Sequence, residues 1–161
     1  MGDAELTNMV RRVVDGNLYL TLGTVEPDGL PRLSPVYFTH DAYRTFYWLS
    51  APDAQHSRNV ARQPEITAVI YDSSVIPGDN PQAVYLTATA QRVPDDELTA
   101  ECAVAFRTMR GGIEASTPED LTAPAPLRLY RATATSYAVH IRGSHPTRGR
   151  GTDSRVPVTM P

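Results

Sequence analysis

The stretch Thr45-Phe46-Tyr47-Trp48-Leu49-Ser50 runs without a break into Ala51-Pro52-Asp53-Ala54-Gln55-His56-Ser57-Arg58-Asn59-Val60-Ala61-Arg62-Gln63-Pro64. Its first part is the most aromatic segment of the chain and predicts a strand. The part from Ser50 to Pro64 predicts a short helix, stopped by the proline, whose first turn is crowded with hydrogen-bonding side chains. The free N–H groups and positive end of such a helix favour a phosphate. Ser50 reads equally as an N-cap, with Asp53 three residues on resembling a capping box.

Upstream, Leu18 to Val25 is rich in β-branched and aromatic residues and meets Glu26-Pro27-Asp28-Gly29, where proline and glycine suit a type I turn. Leu30 to Thr39 returns antiparallel, which makes a hairpin. Before it, Leu6, Met9, Val10, Val13 and Val14 recur at helical spacing between a capping Asp3 and Gly16. They predict a lid helix over residues 3–15 with one apolar stripe.

Downstream, Ile66 to Tyr71 is an apolar run too short for a helix and predicts a buried strand. Val75 to Pro81 is a loop, and Ala83 to Val93 alternates in the period of a strand. A helix from Asp95 to about Arg110 gathers Leu98, Cys102, Ala105, Phe106 and Met109 on one face, so Cys102 reads as core packing. Gly111-Gly112 ends it. Ile113 to Pro126 is a connector and Leu127 to Ile141 the last long strand. From there Gly, Pro, Ser and Arg predominate, and residues 143–161 are expected to form a flexible tail or an arm ordered by a partner. Residues 1–142 are expected to form a single domain.

The chain has 161 residues and a net charge of −3, which argues against a generic nucleic-acid surface. All fifteen basic residues are arginine. A Schiff-base lysine is therefore excluded. One cysteine forbids an internal disulfide, no apolar run is long enough for a membrane span, and the first residues lack the pattern of a signal peptide. A cytoplasmic protein without membrane attachment is expected. The four histidines show no metal-ligand spacing, no nucleophile elbow exists, and neither a metal site nor a catalytic triad is expected.

Six strands, mostly antiparallel and interrupted by short helices, predict a mainly β fold closed into a small barrel. Within that order, Leu20-Thr21-Leu22-Gly23-Thr24-Val25, Pro27-Asp28-Gly29-Leu30-Pro31-Arg32-Leu33-Ser34-Pro35-Val36, Phe46-Tyr47-Trp48-Leu49-Ser50 and Gln55-His56-Ser57-Arg58-Asn59-Val60 resemble the pyridoxamine 5′-phosphate oxidase-like family, the FMN-binding split barrels. The resemblance covers residues 5 to 93 well and the last strand loosely.

It implies a six-stranded antiparallel split barrel, a homodimer with FMN in the grooves between protomers, and an oxidoreductase moving a hydride between the flavin and a small organic molecule. Carried over by position, Ser34, Pro35 and Val36 would line the isoalloxazine or ribityl part. Ser50, Gln55, His56 and Ser57 would meet the phosphate, with Arg32 as a further charge partner and Gln82 as an added polar contact. The oxidases proper carry an Arg-Lys pair where Gln55-His56 stands, and Arg and Lys where this chain has Ser34 and Thr39, so pyridoxamine phosphate oxidation itself is not implied. A deazaflavin-dependent reductase of the same fold, with Arg58 and Arg62 near the phosphates, and a non-catalytic flavin- or small-ligand-binding protein are the alternatives. Without those roles, Arg58 and Arg62 read as a solvated helix face, and Tyr37, Tyr47 and Trp48 as barrel core or dimer interface. No catalytic acid or base is assigned.

Overall fold

A computed structural model describes residues 2–161, with side chains from residue 4 onward. Helix α1 (Gly2–Gly16) precedes β1 (Tyr19–Val25), β2 (Pro31–Tyr37), β3 (Thr39–Asp41) and β4 (Thr45–Ser50). Then follow α2 (Gln55–Arg62), β5 (Glu65–Tyr71), β6 (Ala83–Arg92), α3 (Leu98–Ala105), a 3-10 turn (Glu119–Leu121), β7 (Arg128–Ile141) and β8 (Ser154–Val158). The fold is mainly β, one antiparallel curled sheet with three helices, and it is a split barrel.

Curling follows from the strand order β2-β1-β5-β6-β7-β4-β3. The two ends of that path, β2 and β3, are consecutive in the chain and separated only by Phe38. The expected single strand Leu30 to Thr39 therefore changes partner at Phe38: β2 pairs with β1, and β3 pairs with β4. Phe38 is fully buried and its N–H donates to Leu18 O at 3.0 Å. This swap closes the barrel, and it raises the six expected strands to eight together with β8.

The barrel interior is filled by alternating residues such as Leu20, Leu22, Ile66, Ile70, Val84, Leu86 and Val139. Helix α1 lays Leu6, Met9, Val10, Val13 and Val14 against this core, the stripe that its spacing predicts. The proposed cap at Asp3 falls on a side chain outside the described residues. At the first hairpin, Gly29 N–H donates to Glu26 O at 2.9 Å and Gly29 takes a left-handed φ of 88°, which its lack of a Cβ permits.

A second apolar cluster packs α3 onto the outer face of the sheet through Tyr47, Leu98, Cys102, Ala105, Leu121 and Leu129. Helix α3 ends at Ala105, short of the expected Arg110. A tertiary contact holds Arg110 out of it: the Tyr37 hydroxyl donates to Arg110 O at 2.9 Å and accepts from Arg110 N–H at 3.1 Å, so that N–H is not in a helical bond. Phe106 and Met109 are thereby released from a helical face.

The C-terminal stretch expected as a flexible or partner-ordered tail instead carries β8, which pairs with the distal half of β7 from Tyr137 to Ile141. The proximal half of β7, from Arg128 to Thr133, pairs with β4. Between the halves a bulge opposite Thr87/Ala88 turns the strand from one partner to the other. Among the described residues, no helix is long and apolar enough to cross a membrane.

Candidate functional site

Strand β4 ends at Ser50, and a turn closed by Ala54 N–H to Ala51 O at 3.1 Å delays α2 to Gln55. Ser50 is therefore not the N-cap, and the capping box with Asp53 does not form. Ala54 occupies the cap position and has no side chain able to bond the first helical N–H groups. The first turn of α2 thus keeps amides without a side-chain cap.

Beside this helix start lies a cleft of about 370 Å³ on the outer face of the sheet. Pro35, Tyr37, Leu49 and Leu129 belong to its strand side, while Phe106, Met109 and Ile113 cover it from the segment after α3. The early end of α3 is what frees these last side chains to roof it. Ser50 and His56 stand at its polar end.

Ser50 Oγ lies 2.7 Å from His56 Nε2, and Ser57 Oγ donates to Ser50 Oγ at 3.1 Å. Ser57 is 2 % exposed and braces Ser50 from behind. Burial first, and the charge of Arg32 second, hold the His56 imidazole below its ordinary pKa. Both effects favour the neutral imidazole over the charged one, and so weaken the positive charge that His56 would offer a phosphate.

Among the other candidates, Arg32 lies near enough to His56 for its charge to act on it. Val36 is among the residues around the cleft, but its side chain belongs to the barrel core. Ser34 lies opposite Leu22 and Arg32 opposite Thr24 on β1, which places both on the sheet face turned toward the core and α2. Arg32 is ion-paired with Glu26. Gln55 donates to Asn59 Oδ1 at 2.9 Å and accepts from Arg58 Nη2 at 2.7 Å, so it serves the helix itself. Arg62 donates to Val25 O. Gln82 precedes β6 among Asn17, Asp72 and Asn80, at the end of the barrel away from Ser50, and within one chain it does not reach the cleft.

Two further residues belong here: Thr39, noted in the sequence only as standing where the oxidases carry a lysine, and Arg128, which the sequence did not single out. Thr39, 5 % exposed, is among the cleft residues, and its Oγ1 has no hydrogen-bond partner among the described residues. A buried hydroxyl left unpaired is costly, and a ligand atom would satisfy it. Arg128 faces Ser50 across β4 and β7, is buried, and donates through Nη1 to Ala125 O and Leu127 O, while its Nε is unpartnered. An arginine opening a long strand carries no local signal of burial, and only the pairing register reveals its neighbour. Among the described residues, no group of three or more His, Cys, Asp or Glu side chains is placed to hold a metal ion.

An apolar cleft on a split barrel, ending at an uncapped helix start, defines the class of protein. The pyridoxamine 5′-phosphate oxidase family profile matches residues 6–140, and the chain belongs to that family. Solved structures share the fold. A heme-binding protein from Mycobacterium smegmatis superposes with a TM-score of 0.67 at 18% identity over 94% of this chain, which spans 57% of that protein's length. The heme storage protein HutZ from Vibrio cholerae gives 0.62 at 17% identity, covering 87% of this chain and 96% of that one. An F420 reductase gives 0.54 at 20% identity, covering 82% and 94%. At such identities the likeness is one of fold. A comparison with curated proteins finds no match.

Proposed function

We propose that this protein is a homodimeric, FMN-dependent oxidoreductase acting on a small organic molecule. The observation that carries the reading is the junction of an apolar cleft with the uncapped start of α2 beside Ser50 and His56. Bound there, FMN would supply hydride transfer, and the protein would bind and orient it. The residues fit the group in kind: apolar side chains for a ring system, the orphaned Thr39 hydroxyl for one of its polar atoms, and helix amides with the Ser50 hydroxyl for a phosphate. Charge for that phosphate is modest, since neither arginine nor lysine is among the cleft residues.

The test is titration of the protein with FMN, followed by flavin fluorescence quenching and visible absorption. Saturable quenching supports the reading, and its absence with FMN overturns it. Saturation by deazaflavin in place of FMN selects a deazaflavin reductase of the same fold. Tight flavin binding whose bound flavin is neither reduced by nicotinamide donors nor reoxidised by acceptors selects a flavin-binding protein without turnover.

A further inference from the structure

We propose that Arg128 is the cation of the phosphate site at the start of α2, so that this site selects a ligand carrying a phosphate monoester over the same ligand without one. The assignment rests on the flavin reading for the carrier of that phosphate, and adds the charge that meets it.

Among the described residues, three buried side-chain atoms lack a hydrogen-bond partner: Thr39 Oγ1, Trp48 Nε1 and Arg128 Nε. They fall on β3, β4 and β7, which are adjacent in the sheet. Thr39 and Trp48 border the cleft, and Arg128 is flanked by two residues that do, its chain neighbour Leu129 and its cross-strand partner Ser50. Two of the three atoms are donors only, and an acceptor alone satisfies them. A buried donor without one is costly, so their gathering around one cleft points to a ligand rich in acceptor oxygens.

Strand alternation places Arg128 beside the helix start. On β4, Phe46 and Trp48 enter the barrel core, while Tyr47 and Leu49 pack in the outer cluster with α3. On β7, Tyr130 and Ala132 enter the core and Leu129 joins the outer cluster. Ser50 and Arg128 therefore share the inner face, where Ser57 of α2 donates to Ser50 Oγ at 3.1 Å. Cross-strand partners on one face have Cβ atoms roughly 5 Å apart, so the Arg128 side chain starts beside the Ser50 hydroxyl and the first turn of α2.

Charge sets the sign of the ligand. Arg128 is 8 % exposed, and among the described residues no aspartate or glutamate is paired with it. Arg131, on the opposite face of the same strand, is met by Glu97 at 2.7 Å and Glu101 at 3.0 Å. Arg32, whose charge also acts on His56, is already paired with Glu26. Arg128 instead donates through Nη1 to Ala125 O at 2.5 Å and Leu127 O at 2.6 Å. These bonds anchor the guanidinium and leave it without a counter-charge, a costly state for a buried cation. The uncapped amides of α2 and the Ser50 hydroxyl add donors in the same place. Together these groups fit the dianionic end of a phosphate monoester, with its several acceptor oxygens.

Flavin fluorescence quenching with FMN and with riboflavin, which differ only in the phosphate, tests the assignment on the whole chain. Wild type is expected to bind FMN about tenfold or more tighter than riboflavin. Arg128→Gln is expected to weaken FMN about tenfold while riboflavin stays within about twofold, and Arg128→Lys, which keeps the charge, to retain part of the preference. Circular dichroism and thermal melting check both variants, since Arg128 also holds the carbonyls of Ala125 and Leu127. A measurement on isotope-labelled wild type avoids that question: the Arg128 Nε–H resonance is expected to shift on saturation with FMN and to stay in place with riboflavin. Equal weakening of both flavins, an unchanged FMN preference in folded Arg128→Gln, or an Nε–H resonance that ignores bound FMN would overturn the proposal. Failure of the flavin reading is a separate result, in which wild type binds neither flavin. The same resonance is then followed against inorganic phosphate, where a saturable shift supports Arg128 as a phosphate ligand and no shift overturns it.

Discussion

Half-burial, which removes His56 from water, and the repelling charge of Arg32 both disfavour its protonation. Its folded-state pKa lies below the unfolded 6.5, so between those values the unfolded chain binds more protons. Stability should therefore fall as pH drops below about 6.5, and the loss should be smaller in His56→Gln. Thermal unfolding of both proteins between pH 5 and 8 reads this, and parallel profiles would remove His56 from the acid response. For the flavin reading, His56→Ala and Ser50→Ala should each weaken FMN binding by about 1 kcal/mol or more, the scale of one lost hydrogen bond. Quenching titrations measure it, and unchanged affinity in both would move the phosphate away from this helix start. Ser50, His56 and Ser57 stand together in the fold, and the direction of the His56 pKa depends on burial, which spacing does not report.

At the scale of elements, Gly23 shows how strand pairing constrains a residue whose sequence neighbours give no hint of it. On β1 a Cβ there would stand 2.6 Å from Thr67 Oγ1 on β5. Gly23→Ala should destabilise the protein by about 1–3 kcal/mol, an overpacking cost, and Thr67→Ala in the same chain should return most of it. Urea unfolding of the single and double variants measures the coupling, and additive effects would refute it. Helix α1 behaves differently, because its stripe is legible from spacing alone. Val10 is fully buried in the barrel core, so Val10→Ala should cost about 2 kcal/mol of unfolding free energy in the same assay. The end of α3 was not legible. Periodicity continues through Phe106 and Met109, and only Tyr37, far away in sequence, draws Arg110 out of the helix.

For the whole molecule, the sheet's outer surface bears on assembly. Leu33 is 71 % exposed on β2, and Tyr19 and Tyr71 are also exposed. Exposed apolar side chains of this size on a sheet suit an interface. If the proposed homodimer uses this face, Leu33→Glu should shift sedimentation equilibrium to the monomer while the far-ultraviolet circular dichroism stays that of a β protein. A wild-type monomer at micromolar concentration would dispose of the dimer, and a dimeric variant would place the interface elsewhere.

Local chemistry determined the elements themselves. Alternation marked the strands, the 3.6-residue period marked α1, proline stopped α2, and the order of short motifs was enough to recognise the split barrel. These signals are written within a few residues of one another. What only the tertiary structure decided depends on neighbours distant in sequence: the partner swap at Phe38, the return of the C-terminus as β8, the roofing of the cleft after α3, and the lowered pKa of His56. Ser50 to Pro64 kept its place at the junction of strand and helix. Whether its polar groups carry charge was decided by packing, since burial and register, unlike periodicity, are properties of the assembled sheet.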